Sequence, residues 1–117
     1  MKKLIFYSYL KCSTCRKAAN WLDKKSFEYQ LIDILKEPPL LKYLNLALKQ
    51  YSGDKKKVFN TRGKAFKSIN IDIYSLSTEE IIQLLLSDGK LIKRPFLVYE
   101  EKVILGFNEI EYDKQFM

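Results

Sequence analysis

The chain has 117 residues, 47% of them hydrophobic and 30% charged, which predicts one globular domain with a core large enough to fold without metal or disulfide staples. Histidine is absent and only two cysteines are present, so Ser-His-Asp and Cys-His catalysis, His-ligated zinc and a four-thiolate site within one chain are excluded. The net charge of +7 is uneven: residues 1–25 carry seven Lys/Arg against one Asp, and residues 76–117 carry five basic against eight acidic residues. A basic first two-thirds points to an anionic partner, but only three of the 21 basic residues are Arg. That is poor material for direct sequence-specific reading of nucleic acid.

Leu4–Tyr9 is apolar, aromatic and flanked by lysines, as a short buried strand should be. The start Met1-Lys2-Lys3 followed by this apolar run imitates a signal peptide, but Lys11 ends the run and no small-residue cleavage site follows. No stretch approaches the roughly 18 uncharged apolar residues of a membrane helix. A cytosolic protein with no membrane association is expected, and there a close cysteine pair points to redox or metal chemistry rather than a structural disulfide.

After the turn at Lys11–Thr14, Cys15, Ala18, Ala19 and Leu22 recur at helical spacing and predict one buried face. Tyr29–Leu35 reads as a second strand, completing a βαβ unit with parallel pairing. Glu37-Pro38-Pro39 opens a helix whose face is Leu41, Leu44, Leu48 and Tyr51, with Ser52-Gly53 as its C-cap. Short helices are expected around Val58-Phe59 and Ala65-Phe66, broken by Gly63. Ser77 to Glu80 is a capping box, and Asp88-Gly89 closes the helix that it starts. Phe96–Tyr99 and Lys102–Leu105 form an antiparallel hairpin, and Asn108 to Glu111 caps a last short helix. The order is β-α-β, a helical insert over about residues 37–89, then β-β-α; without the insert this is the thioredoxin topology.

Cys12-Ser13-Thr14-Cys15 lies between the first strand and the first helix. A helix N-terminus lowers a thiol pKa through unpaired N–H groups and the macrodipole, and Lys11 and Arg16 add positive charge. Cys12 is expected at the helix mouth as the nucleophile, and Cys15, one turn in, as the buried resolving thiol. Arg94-Pro95 lies just before the third strand, where proteins of the thioredoxin topology carry a cis-proline packed against the reactive sulfur, and an X-Pro bond is the place for a cis peptide. Arg94 would then aim its guanidinium at the Cys12 thiolate or at an anion bound there.

Lys11–Ala18, Asn60-Thr61-Arg62-Gly63-Lys64, Leu91–Pro95 and Gly106-Phe107-Asn108-Glu109 together resemble the arsenate reductase-like/Spx (ArsC/Spx) family over nearly the whole chain. The resemblance implies an α/β thioredoxin-like fold with a four-stranded mixed sheet flanked by helices. In the family's reductases a cysteine at the position of Cys12 attacks the oxyanion, three arginines stabilise it, and glutathione and glutaredoxin regenerate the enzyme. Here only Arg94 matches an arginine position. The second falls near Asn60, with Arg62 two residues on as a substitute, and the third at Phe107; those reductases also lack the counterpart of Cys15. The resemblance thus implies a thiol-disulfide oxidoreductase with no bound cofactor and with glutathione, glutaredoxin or thioredoxin as reductant. Cys12, Cys15 and Arg94 would be catalytic, and Lys11, Ser13, Thr14, Arg62 and Pro95 would line the substrate site. The Spx regulators share the CxxC switch, the Arg-Pro pair and a segment matching Thr61–Phe66, and they bind the C-terminal domain of the RNA polymerase α subunit through a glycine whose approximate counterpart is Gly53. They carry a longer C-terminal tail, so the enzyme is the leading expectation and the regulator the alternative.

Overall fold

A computed structural model describes residues 4–116; Met1–Lys3, part of the signal-like start, and Met117 lie outside the described residues. The elements are β1 (Leu4–Ser8), α1 (Ser13–Lys24), β2 (Gln30–Asp33), α2 (Leu41–Gln50), α3 (Lys64–Ser68), α4 (Thr78–Ser87), β3 (Phe96–Tyr99), β4 (Lys102–Leu105) and α5 (Glu109–Phe116), with single 3-10 turns at Lys55–Val58, Ile73–Ser75 and Gly89–Leu91. The four strands lie in the order β2-β1-β3-β4. β2 pairs parallel with β1, while β3 is antiparallel to both β1 and β4. This is the expected mixed sheet of an α/β thioredoxin-like fold, with the helical insert between β2 and β3.

Alternation along the strands divides the core in two, because successive side chains leave a strand on opposite faces. Leu4, Phe6, Leu97 and Ile104 pack with Ala18, Trp21 and Leu22 of α1 and Tyr112 of α5. Ile5, Tyr7, Phe96, Val98 and Val103 face the other way, onto Leu44, Leu48, Ile81 and Leu85 of α2 and α4. β1 and β3 are buried on both faces, which explains their unbroken apolar runs. β4 is an edge strand, and Gln50 of α2 covers part of it: its Oε1 accepts from the Val103 N–H (2.6 Å) and its Nε2 donates to the Val103 carbonyl (2.9 Å).

Several local expectations change. Trp21, not Ala19, completes the buried face of α1, because its ring meets Phe27, Tyr112 and Phe116. Leu41 is exposed, and Leu44, Ala47 and Leu48 make the buried stripe of α2. That helix starts two residues after Pro39 and is capped at Tyr51 rather than Gly53. The second strand is shorter than Tyr29–Leu35, since Ile34 and Leu35 already turn toward the insert. The Ser77–Glu80 box is complete in both directions, and Asn108 Oδ1 accepts from the Glu111 N–H at 3.1 Å. Gly89 stands where a Cβ would come within 2.6 Å of the Ile34 carbonyl oxygen, so close approach of two backbones requires it.

Candidate active site

The sheet's register brings the end of β1, the start of β3 and the end of β4 to one rim, through Tyr7↔Phe96 and Phe96↔Leu105. Cys12 is the N-cap of α1 on that rim, with extended backbone (φ −89°, ψ 121°) and no acidic residue in the first turn. Its N–H donates to the Tyr9 carbonyl at 2.9 Å, and its carbonyl accepts from the Arg16 N–H at 3.1 Å. Arg16 turns back and donates from Nη1 to the Leu10 carbonyl (2.8 Å), closing the loop that presents the cysteine.

The two thiols have opposite environments. Partial burial by itself would raise the Cys12 pKa, but the Cys15 N–H and thiol, the Arg94 guanidinium and the Thr14 N–H stabilise its thiolate and bring the net value below that of a free cysteine. Cys15 is buried to 1% exposure. Burial pushes its pKa up, with the nearby Cys12 adding to the rise, despite the Tyr9 N–H and the Ser8 hydroxyl. The Tyr9 N–H donates to the Cys15 sulfur at 3.4 Å. The arrangement makes the surface thiol the more acidic of the two and holds the proton on the one beneath it.

The Arg94–Pro95 peptide is cis, Pro95 is buried, and its carbonyl accepts from the Gly106 N–H at 2.9 Å. The Arg94 guanidinium carbon lies 4.9 Å from the centre of the Tyr9 ring, a cation–π contact that aims it at the rim. Its Nε and Nη1 are buried and have no hydrogen-bond partner among the described residues. Thus a guanidinium with two unpartnered nitrogens stands beside the more acidic thiol.

The remaining sequence candidates distribute unevenly. Ser13 is exposed on the first residue of α1 and Thr14 is half-buried, so Thr14 contributes its N–H to Cys12 and Ser13 only a place at the mouth. Lys11 is exposed and is not among the groups that shift Cys12; the N–H groups and Arg94 supply the stabilisation. The 60–63 turn reaches the rim because Phe59 bridges Ile92 and the Asn60 N–H donates to the Leu91 carbonyl at 2.8 Å. Arg62 itself is exposed on that turn and is not among the groups that shift Cys12. Asn60 Nδ2 instead reaches the Lys90 carbonyl (3.4 Å), and the Phe107 ring packs 4.8 Å from that of Tyr112. Gly53 is exposed in the turn after α2, where an added Cβ would meet nothing within 4 Å.

Three residues of the site escape sequence reasoning: Ser8, Tyr9 and Tyr112. Tyr9 follows β1 and is six residues from Cys15, but the turn folds it back onto the pair. The Tyr112 hydroxyl donates to the Gly106 carbonyl at 2.6 Å, and its burial, with the charge of a Cys15 thiolate adding, opposes its ionisation. Only the tertiary fold brings α5 under α1, so no local motif reports it.

The ArsC family profile matches residues 7–115. YusI of Bacillus subtilis is 41% identical over 113 residues, covering 95% of this chain and 96% of its own. The global transcriptional regulator Spx of Lactiplantibacillus plantarum is 31% identical, over 92% of this chain and 82% of its own. Among solved structures, a possible arsenate reductase from Streptococcus mutans UA159 superposes with a TM-score of 0.87 at 40% identity, covering 99% of this chain and all of that one. On these matches, and with the helical insert, CxxC helix mouth and Arg-Pro pair in place, the chain belongs to the ArsC family.

Proposed function

We propose that the protein is a thiol-disulfide oxidoreductase that reduces a disulfide substrate, with Cys12 as nucleophile, Cys15 as resolving thiol and Arg94 as the cation that stabilises the thiolate. The Cys12 thiolate attacks one sulfur of the substrate; a mixed disulfide forms and the other sulfur leaves as a thiolate, which takes the Cys15 proton. Cys15 then attacks the Cys12 sulfur and releases the second substrate thiolate. The substrate has gained two electrons, and the protein holds a Cys12–Cys15 disulfide. Two glutathione molecules, or the dithiol of glutaredoxin or thioredoxin, return those electrons in a reducing compartment such as the cytosol. The observation that carries this reading is the placement of Cys12 at the N-cap of α1 beside Arg94, with Cys15 buried one turn in, which displaces the two thiol pKa values in opposite directions. A disulfide is favoured over arsenate because Arg94 is the single guanidinium acting on Cys12, while Asn60 and Phe107 are engaged with Lys90 and Tyr112.

A second reading, a redox-sensing regulator that binds the RNA polymerase α subunit, is favoured by Gly53. Its exposed site imposes neither a positive φ nor a close contact, so the fold gives no reason for glycine there and a flat contact surface does. Reduction of hydroxyethyl disulfide, coupled to glutathione and glutathione reductase, decides between them when run beside capture of the α subunit by reduced and oxidised protein. The oxidoreductase predicts turnover that disappears in Cys12→Ser. Redox-dependent capture without turnover would establish the regulator.

A further inference from the structure

The segment Lys55–Lys67 contains six basic residues and no acidic one. The Phe59↔Ile92 bridge sets it against Lys90 and Lys93, next to the cis-proline loop. Between them lies a groove of about 430 Å³, with Lys56, Lys57 and Lys93 around Tyr51 and Phe59. A volume of this size accommodates a short segment of side chains. Asp54 is the acidic residue of the lining, and its Oδ1 is already taken by the Lys56 N–H and the Tyr74 hydroxyl. Lys56 is held rather than free to sweep: its ammonium lies 5.7 Å from the Phe66 ring centre and 5.9 Å from that of Tyr74. The Lys93 stem crosses Gly106, whose φ is +70° and where a Cβ would sit 3.2 Å from the Lys93 Cε. Gly106 in turn is bonded to Pro95. The groove is therefore tied to the rim that presents Cys12.

We infer that this groove docks an acidic peptide segment of the protein whose disulfide is presented to Cys12. The inference rests on the thiol-disulfide reading, which requires a sulfur-bearing partner at the rim. Three lysines lining the groove together with Tyr51 and Phe59 suit Asp and Glu side chains with an apolar neighbour. A nucleic acid offers the same charge but no thiol, and its phosphates favour the guanidinium fork, whereas the cations lining the groove are lysines.

The experiment measures binding of a labelled, Glu-rich peptide with Ser in place of Cys, beside neutral and Lys-rich analogues and a short DNA duplex. At low ionic strength the Glu-rich peptide should bind at least about tenfold tighter than either analogue, and the difference should shrink as salt shortens the screening length. Lys57→Glu, at an exposed position, should abolish the preference, and Lys93→Gln should weaken it, while both leave hydroxyethyl disulfide turnover unchanged. Equal binding of all three peptides, tighter binding of the duplex, or an unaltered preference in Lys57→Glu would overturn the docking site. Absence of turnover toward the small disulfide, with the peptide preference intact, would instead defeat the catalytic reading and leave the acidic-peptide site standing.

Discussion

The β-α-β and β-β-α halves differ from the insert between them in what they contribute to the site. Every group that shifts the cysteine pair, including Ser8, Tyr9, Thr14 and Arg94, belongs to the two halves. The insert brings Lys56 and Lys57 of the groove, whose third lysine, Lys93, comes from the second half, and the long apolar contacts of α2 and α4 beneath the sheet. Thiol chemistry is thus housed in the two halves, and partner choice is shared between the insert and the segment that leads into the rim. Changes in the insert can alter docking or stability without touching the thiol, and changes at the rim can do the reverse.

Removing the nucleophile tests this division most severely. Cys12→Ser should lower disulfide turnover by at least about a thousandfold, since a serine hydroxyl at the same place is not ionised near neutral pH. Cys15→Ser should instead stop the cycle at a mixed disulfide between Cys12 and substrate, visible by mass spectrometry. Gly89→Ala probes the other region. Its Cβ would collide with the Ile34 carbonyl, and the forced backbone shift should cost about 1–3 kcal/mol by urea denaturation. The Cys12 titration should stay where it is, and a moved titration would show that insert and rim are coupled.

Much of this division can be read from the sequence, and the failures share one cause. Leu4–Ser8, the CxxC helix start, the Ser77–Glu80 box and the β3–β4 hairpin rest on local periodicity and capping, which the sequence carries directly. Ala19 instead of Trp21, Leu41 on the buried face and Gly53 as a helix cap are expectations of the same local kind, and a local pattern does not tell which of several apolar or capping positions the fold uses. Trp21 is buried because Tyr112 and Phe116 return from the C-terminal helix. Tyr112 itself, and the indifference of Cys12 to Lys11, depend on three-dimensional placement that neither spacing nor charge content reports.

At the rim, Arg94→Ala should raise the Cys12 pKa and cut turnover about tenfold, which is roughly 1.4 kcal/mol of transition-state stabilisation. Below the folded Cys12 pKa, where the thiolate contributes nothing, stability should not fall, because the substitution removes two buried nitrogens that lack partners. Lysine should rescue only part of the rate, having no planar fork. The pH dependence follows with a definite sign. The folded Cys12 pKa lies below its ordinary value, so thiolate, and with it iodoacetamide labelling, should appear at lower pH than in unfolded protein. The same shift contributes stability above the unfolded pKa, and that contribution is lost as pH falls through the folded one. Cys15, shifted upward, should label last, and labelling of Cys15 ahead of Cys12 would reverse the assignment of roles.

The smallest expected effect discriminates most sharply between enzyme and regulator. Gly53 has ordinary backbone geometry and open space around its missing side chain. Gly53→Ala should therefore leave the fold intact and raise stability by about 0.4–1 kcal/mol, since alanine restricts the unfolded chain more than glycine does. Disulfide turnover should be unchanged, because no group acting on Cys12 or Cys15 comes from this turn. If the protein acts by binding the polymerase α subunit, the added methyl group stands in the contact surface, and capture should drop while stability rises. A gain in stability with capture and turnover both unaltered would remove Gly53 from the polymerase contact and withdraw the observation that favours the regulator.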